Sequence, residues 1–153
     1  MAKSIDDLDL APSAKAAAEK LLAAHPGVKF TSGRRNTEDQ ARAMASNVVN
    51  KRRWIEQTYK DTPQRAALQK WVDNNPQAKT QKAIAAGLVS VMSGWSDAQR
   101  SKLSRHFSGN AFDVQPVPGA AGTAIKKTIK ALPKLRQFLE KEGGLVRWHA
   151  DFA

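Results

Sequence analysis

The feature that most restricts how this chain folds is the run Val-Arg-Trp-His-Ala-Asp-Phe at 146–152, preceded by Leu145, in which apolar and polar side chains alternate. Successive side chains of a strand point to opposite faces, so Val146, Trp148, Ala150 and Phe152 share one side, and Leu145, Arg147, His149 and Asp151 the other. The apolar side can meet a core. The other side must then line a cleft or face water. A strand at 111–115 repeats the pattern, with Ala111, Asp113 and Gln115 opposite Phe112 and Val114. Before it, Gly109 and the small Ala111 let the backbone turn tightly between His106 and Asp113 and let a metal or substrate approach closely.

The remaining sequence reads mostly as helix. Helices are expected at 12–24, with Pro12 in the first turn and His25-Pro26-Gly27 ending it, and from Thr37 through about 49 and on toward Tyr59. Thr37 to Gln40 has the spacing of a capping box. Thr62-Pro63 starts a helix to about 73, residues 80–92 form a largely apolar one, and Ser96-Asp97 caps a short one to about 103. A helix is also expected at 121–141, interrupted at Pro133 and ended by Gly143-Gly144. A short strand at 28–31 precedes the Ser32-Gly33 turn. There is no internal repeat, low-complexity tract or linker. Helices with three or four scattered strands predict an α+β fold, a single domain over 1–153 with helices packed on a small, mostly antiparallel sheet.

A chain of 153 residues can bury one core, and 41% apolar with 25% charged residues describes a globular protein. No run approaches the roughly 18 apolar residues of a membrane helix, and the first ten residues lack the apolar stretch of a signal peptide. Synthesis is therefore expected to end in the cytoplasm. With no cysteine, disulfides and thiolate metal sites are excluded, so a metal must be held by nitrogen and oxygen. Two imidazoles and a carboxylate, His106, Asp113 and His149, are the three ligands that a catalytic zinc takes while keeping one position open for water. The net charge of +11 draws polyanions: nucleic acid, acidic cell-wall polymer or lipopolysaccharide. Its basic clusters are Lys51-Arg52-Arg53, Lys126-Lys127, Lys130 and Lys134-Leu135-Arg136. Trp54 follows the first, and a solvated helix face with the indole turned inward is the simpler account than a base-stacking platform. The four tryptophans read mainly as core anchors and His25 as a helix-end cation.

The pattern Ser104-x-His106-x-x-Gly109-x-Ala111-x-Asp113, with Trp148-His149 later, resembles the zinc site of the D-alanyl-D-alanine carboxypeptidase and L-alanyl-D-glutamate peptidase family, which includes many phage endolysins. Thr31-Ser32-Gly33-Arg34-Arg35, followed by Gln40, is similar to the family's Ser-Gly-x-Arg element. The likeness runs from about 28 to 152, with 51–103 looking like a helical insertion that compact members lack. It implies that His106, Asp113 and His149 bind Zn2+ and that Arg35 binds and polarises the scissile carbonyl. Many members carry a glutamate base three residues before the last histidine, where this chain has Val146. A subgroup with a Gly-Gly turn and a His-x-Asp ending is closer, and the base is then expected at Asp151 or at Glu142.

The resemblance therefore implies a zinc metallopeptidase, a monomer, hydrolysing the peptidoglycan stem peptide during phage lysis. Zinc would activate water, a carboxylate would carry the proton, and Arg35 would stabilise the oxyanion. The basic surface would meet the anionic envelope, no specific nucleic acid is expected, and the enzyme would reach the periplasm through a membrane lesion made by a partner. The alternatives are a non-catalytic cell-wall-binding or virion module of the same fold, and a basic nucleic-acid-binding protein.

Overall fold

In the computed structural model, which describes residues 3–142 and 145–153 (backbone alone at 142 and 145), the alternating run becomes an interior strand. Four strands, β1 (Phe30–Ser32), β2 (Ala111–Val114), β3 (Leu135–Glu142) and β4 (Leu145–Phe152), form one sheet in the order β1-β2-β4-β3. Every neighbouring pair is antiparallel. Among the described residues, seven α-helices complete the α+β fold: α1 (Pro12–Ala24), α2 (Thr37–Val48), α3 (Trp54–Thr58), α4 (Pro63–Asn74), α5 (Gln81–Met92), α6 (Asp97–Leu103) and α7 (Gly119–Lys130). No helix among the described residues is long and apolar enough to cross a membrane.

The chain divides into two compact units, residues 1–34 with 108–153, and residues 35–107. In the first, Phe30, Phe112, Val114, Trp148, Ala150 and Phe152 supply the sheet's side of a core that α1 closes with Ala14, Ala17, Ala18 and Leu21, and α7 with Ile125 and Ile129. Alanine on the inner face of α1 lets a helix lie close to a sheet that carries large rings. Those rings meet in favourable edge or tilted geometry, Phe30 to Phe112 at 5.2 Å and Phe112 to Phe152 at 5.3 Å.

The second unit is helical. Its core joins Met44 and Val48 of α2, Ile55 of α3, Leu68 and Val72 of α4, and Ile84, Leu88 and Met92 of α5. Trp54 is buried there with its ring edge-on to Tyr59, so it offers no face to a base. Arg52 points its guanidinium at the end of α4, donating to the carbonyls of Val72, Asn75 and Ala78. Helix ends leave carbonyls without helical partners, and a cation there satisfies them. The stretch 51–103, expected as a helical insertion, lies inside this unit, whose first helix starts earlier, at Thr37.

Three expectations need correction. The helix at 121–141 is two elements: α7 stops at Lys130, and β3 begins at Leu135. Pro133 cannot continue a helix, and Lys134 takes a left-handed conformation, φ 62°, that turns the chain into the sheet. The helix from Thr37 does not run to Tyr59, because the chain turns at 49–53 before α3. Its N-cap is Asn36, whose side chain accepts from the Asp39 amide, so the spacing of Thr37 and Gln40 is not a capping box. The Gly143-Gly144 turn lies outside the described residues.

Candidate metal centre

Strand register builds the site. Asp113 of β2 lies opposite Ser32 of β1 on one side and opposite His149 of β4 on the other, so the three side chains form a row across the sheet. The Ser32 hydroxyl donates to Asp113 Oδ2 at 2.6 Å, which turns Oδ1 toward the histidine. His149 Nδ1 stands 3.0 Å from Asp113 Oδ1, and its Nε2 stands 3.1 Å from Asp151 Oδ2. One ligand atom each from His106, Asp113 and His149 lies within 4.8 Å of the others, and all three residues are buried, at 3%, 6% and 7% exposure.

His106 sits in a 3-10 turn, Arg105–Ser108. The chain leaves that turn through Gly109, at φ 78°, a conformation that costs most residues dearly. The Gly109 carbonyl accepts from the Ala11 amide at 2.9 Å, and a Cβ on Gly109 would stand 2.9 Å from that same nitrogen. Upstream, the amide of Arg35 donates to the carbonyl of His106 at 3.0 Å. The Arg35 guanidinium donates to Oε1 of the fully buried Gln40 at 3.2 Å, and Gln40 donates in turn to the Tyr59 hydroxyl at 2.8 Å. Arg34 turns the other way, to the carbonyl and carboxylate of Asp9.

The donor set fits a metal ion. A neutral imidazole has one N–H to give, yet both nitrogens of His149 face carboxylate oxygens at hydrogen-bond distance. Either the ring is an imidazolium that donates to both, or one contact takes the single proton and a metal ion between nitrogen and oxygen satisfies the other. Buried carboxylates demand such compensation, since an uncompensated buried charge costs several kcal/mol (order of magnitude). Of the two carboxylates, Asp113 is the one grouped with His106 and His149, and these three residues could hold a metal ion.

No protein-family model, curated protein or solved structure matches the chain. His106, Asp113 and His149 come together as the sequence pattern suggested. Asp151 is also close, but its carboxylate is buried and engaged with His149 Nε2, and its Oδ1 lies 3.6 Å from Arg136 Nη1 of β3. The side chain of Glu142 lies outside the described residues, and Val146 is exposed. Sequence reasoning missed the hydroxyl of Ser32 as the partner of Asp113. The period-2 pattern of β4 separates the two faces correctly, yet both are buried at Trp148, His149, Ala150 and Asp151.

Proposed function

We propose that the protein is a zinc-dependent peptidase acting on the stem peptide of peptidoglycan, with His106, Asp113 and His149 as the metal ligands. The observation that carries this reading is the grouping of His106, Asp113 and His149, all buried, with one ligand atom of each within 4.8 Å of the others. Zinc suits two imidazoles and one carboxylate with a position left open, and when bound there it would polarise a carbonyl and lower the pKa of a bound water from 15.7 to about 7.

The chain's own residues divide the remaining work. Ser32 holds the Asp113 carboxylate in one orientation through the hydrogen bond to Oδ2. Arg35, restrained at its amide by His106 and at its guanidinium by Gln40, is the cation for the oxygen that gains charge as the peptide carbonyl is attacked. The proton from the attacking water passes to a carboxylate and then to the leaving amine. Glu142 is the candidate acceptor that the sequence resemblance leaves once Asp151 is seen to be occupied by His149. The excess of basic residues would bring the enzyme to an anionic envelope during phage lysis.

Zinc content and product analysis test the reading together. Protein loaded with zinc should hold about one ion per chain, His106→Ala should lose it, and mass spectrometry of digested cell wall should find cleaved stem peptides. Bound zinc with no released peptide would make the chain a cell-wall-binding or virion module. Absence of zinc with strongly salt-sensitive DNA binding would make it a nucleic-acid-binding protein.

A further inference from the structure

We propose that Asp151 is a positioning residue that fixes the tautomer and ring orientation of His149, and that it does not accept the reaction's proton. The proposal rests on the metal-centre reading above. It starts from which of the two carboxylates receives the single N–H of a neutral His149 ring. Asp113 is the carboxylate that shares its neighbourhood with His106, and its other oxygen is already bonded to Ser32. The metal side of the ring is therefore Nδ1, where a lone pair is needed, and the N–H belongs on Nε2, donated to Asp151 Oδ2.

That assignment places Asp151 across the ring from the reacting centre. The two imidazole nitrogens point away from each other, so a carboxylate bound at Nε2 cannot also touch a water held beyond Nδ1. The strand explains how Asp151 gets there. It follows His149 by two residues on β4, so the two side chains leave the same face of an interior strand. Burial keeps the pair dry, Asp151 being 5% exposed, and a buried carboxylate without opposite charge would be costly. Arg136, on the neighbouring β3, supplies that charge at 3.6 Å from Oδ1, too far for a hydrogen bond and close enough for an ion pair. Oδ1 is buried and makes no hydrogen bond of its own, so the carboxylate has one directional commitment, the one to His149. A histidine that binds a metal through one nitrogen commonly gives its other N–H to a carboxylate, which fixes the ring and makes the metal-binding nitrogen more basic.

Zinc affinity separates this role from that of a proton acceptor. Apparent Kd values, measured by competition with a chromophoric chelator, should rise about 10–100-fold in Asp151→Ala. They should rise less in Asp151→Asn, whose amide oxygen can still accept from Nε2. Long-range proton–nitrogen NMR correlations of the wild-type protein should show His149 protonated at Nε2, a reading that needs no variant to fold. Unchanged zinc affinity in both variants, with peptide hydrolysis reduced on the order of 100-fold or more, would make Asp151 the proton acceptor and overturn the proposal. A proton found on Nδ1 in the zinc-bound protein overturns it as well. Wild-type protein that takes up no zinc overturns the metal centre itself, and is distinguished from the other outcomes by needing no substitution at Asp151.

Discussion

Gly109 lets the chain pass from the His106 turn into β2, and its two constraints can be separated by experiment. Its φ of 78° disfavours any side chain, and a Cβ would also crowd Arg34 Nη2 at 2.8 Å and the Ala11 nitrogen at 2.9 Å. Gly119 has nearly the same backbone angle, φ 73°, with open space around it. Gly119→Ala should therefore cost only the conformational penalty, about 1–3 kcal/mol, and leave zinc affinity as it was. Gly109→Ala should cost more in urea denaturation and weaken zinc binding, because the turn that carries His106 must shift. Equal effects on both measures would show that crowding at Gly109 is unimportant. At this scale the three converging residues were legible, since period-2 alternation and a small-residue turn are local signals. Ser32 was legible only as part of a turn and of the Ser-Gly-x-Arg likeness. Its bond to Asp113 spans 81 residues of sequence and depends on strand register, which no local pattern encodes.

Among the elements, α4 depends on a residue outside it. Arg52 bonds three carbonyls at and beyond its C-terminal end, and charged hydrogen bonds of this kind contribute roughly 1.5–3 kcal/mol each when measured singly. Arg52→Ala should lower stability by at least about 1.5 kcal/mol in chemical denaturation, and Arg52→Lys should recover little, because an ammonium cannot reach three acceptors in a fork. Full recovery by lysine would reduce the role of Arg52 to its charge. Between α7 and β3 the tie is ionic. Lys126 donates to Glu140 Oε1 at 2.8 Å, and chiefly this hydrogen bond holds the Glu140 carboxyl below the usual carboxylate range. A group with a depressed folded pKa contributes stability above its unfolded value, here about 4.3, and loses it as pH falls through the folded one. Melting temperature should accordingly drop on acidification below about pH 4.3 by more in the wild type than in Glu140→Gln, a small difference because the pair is partly solvated. The sequence suggested one interrupted helix across these two elements. Residues 135–142 carry good helix formers, Leu, Arg, Gln, Glu and Lys, and pairing with β4 overrides their propensity. The α1, α4, α5, α6 and β4 segments were legible because caps, prolines and apolar periods agree there.

Across the whole molecule, several basic residues are paired with acidic neighbours close in sequence or on an adjoining element. Arg53, Arg65 and Arg100 pair with acidic neighbours of the helical unit, and Lys126 with Glu140. The net charge of +11 nevertheless remains as a long-range field, screened over about 8 Å at physiological salt. Hydrolysis of intact peptidoglycan should fall as salt is added, since encounter with an anionic polymer is steered. Hydrolysis of a small uncharged stem-peptide fragment should change much less, since it depends on Arg35 and the metal ligands at contact distance. Rates measured for both substrates across a salt series check this, and a parallel decline would put basic side chains into the chemical step.

The sheet also has a history in time. β1 is made early, but its partner β2 follows only after the whole 35–107 unit, and β4, which completes the row from Ser32 through Asp113 to His149, follows later still. At translation speeds of about 5–20 residues per second, Ser32 waits on the order of ten seconds for His149 to be synthesised. A ribosome-bound chain that stops short of β4 has His106 and Asp113 but neither His149 nor Asp151. The grouping of His106, Asp113 and His149 is thus among the last features a nascent chain can acquire.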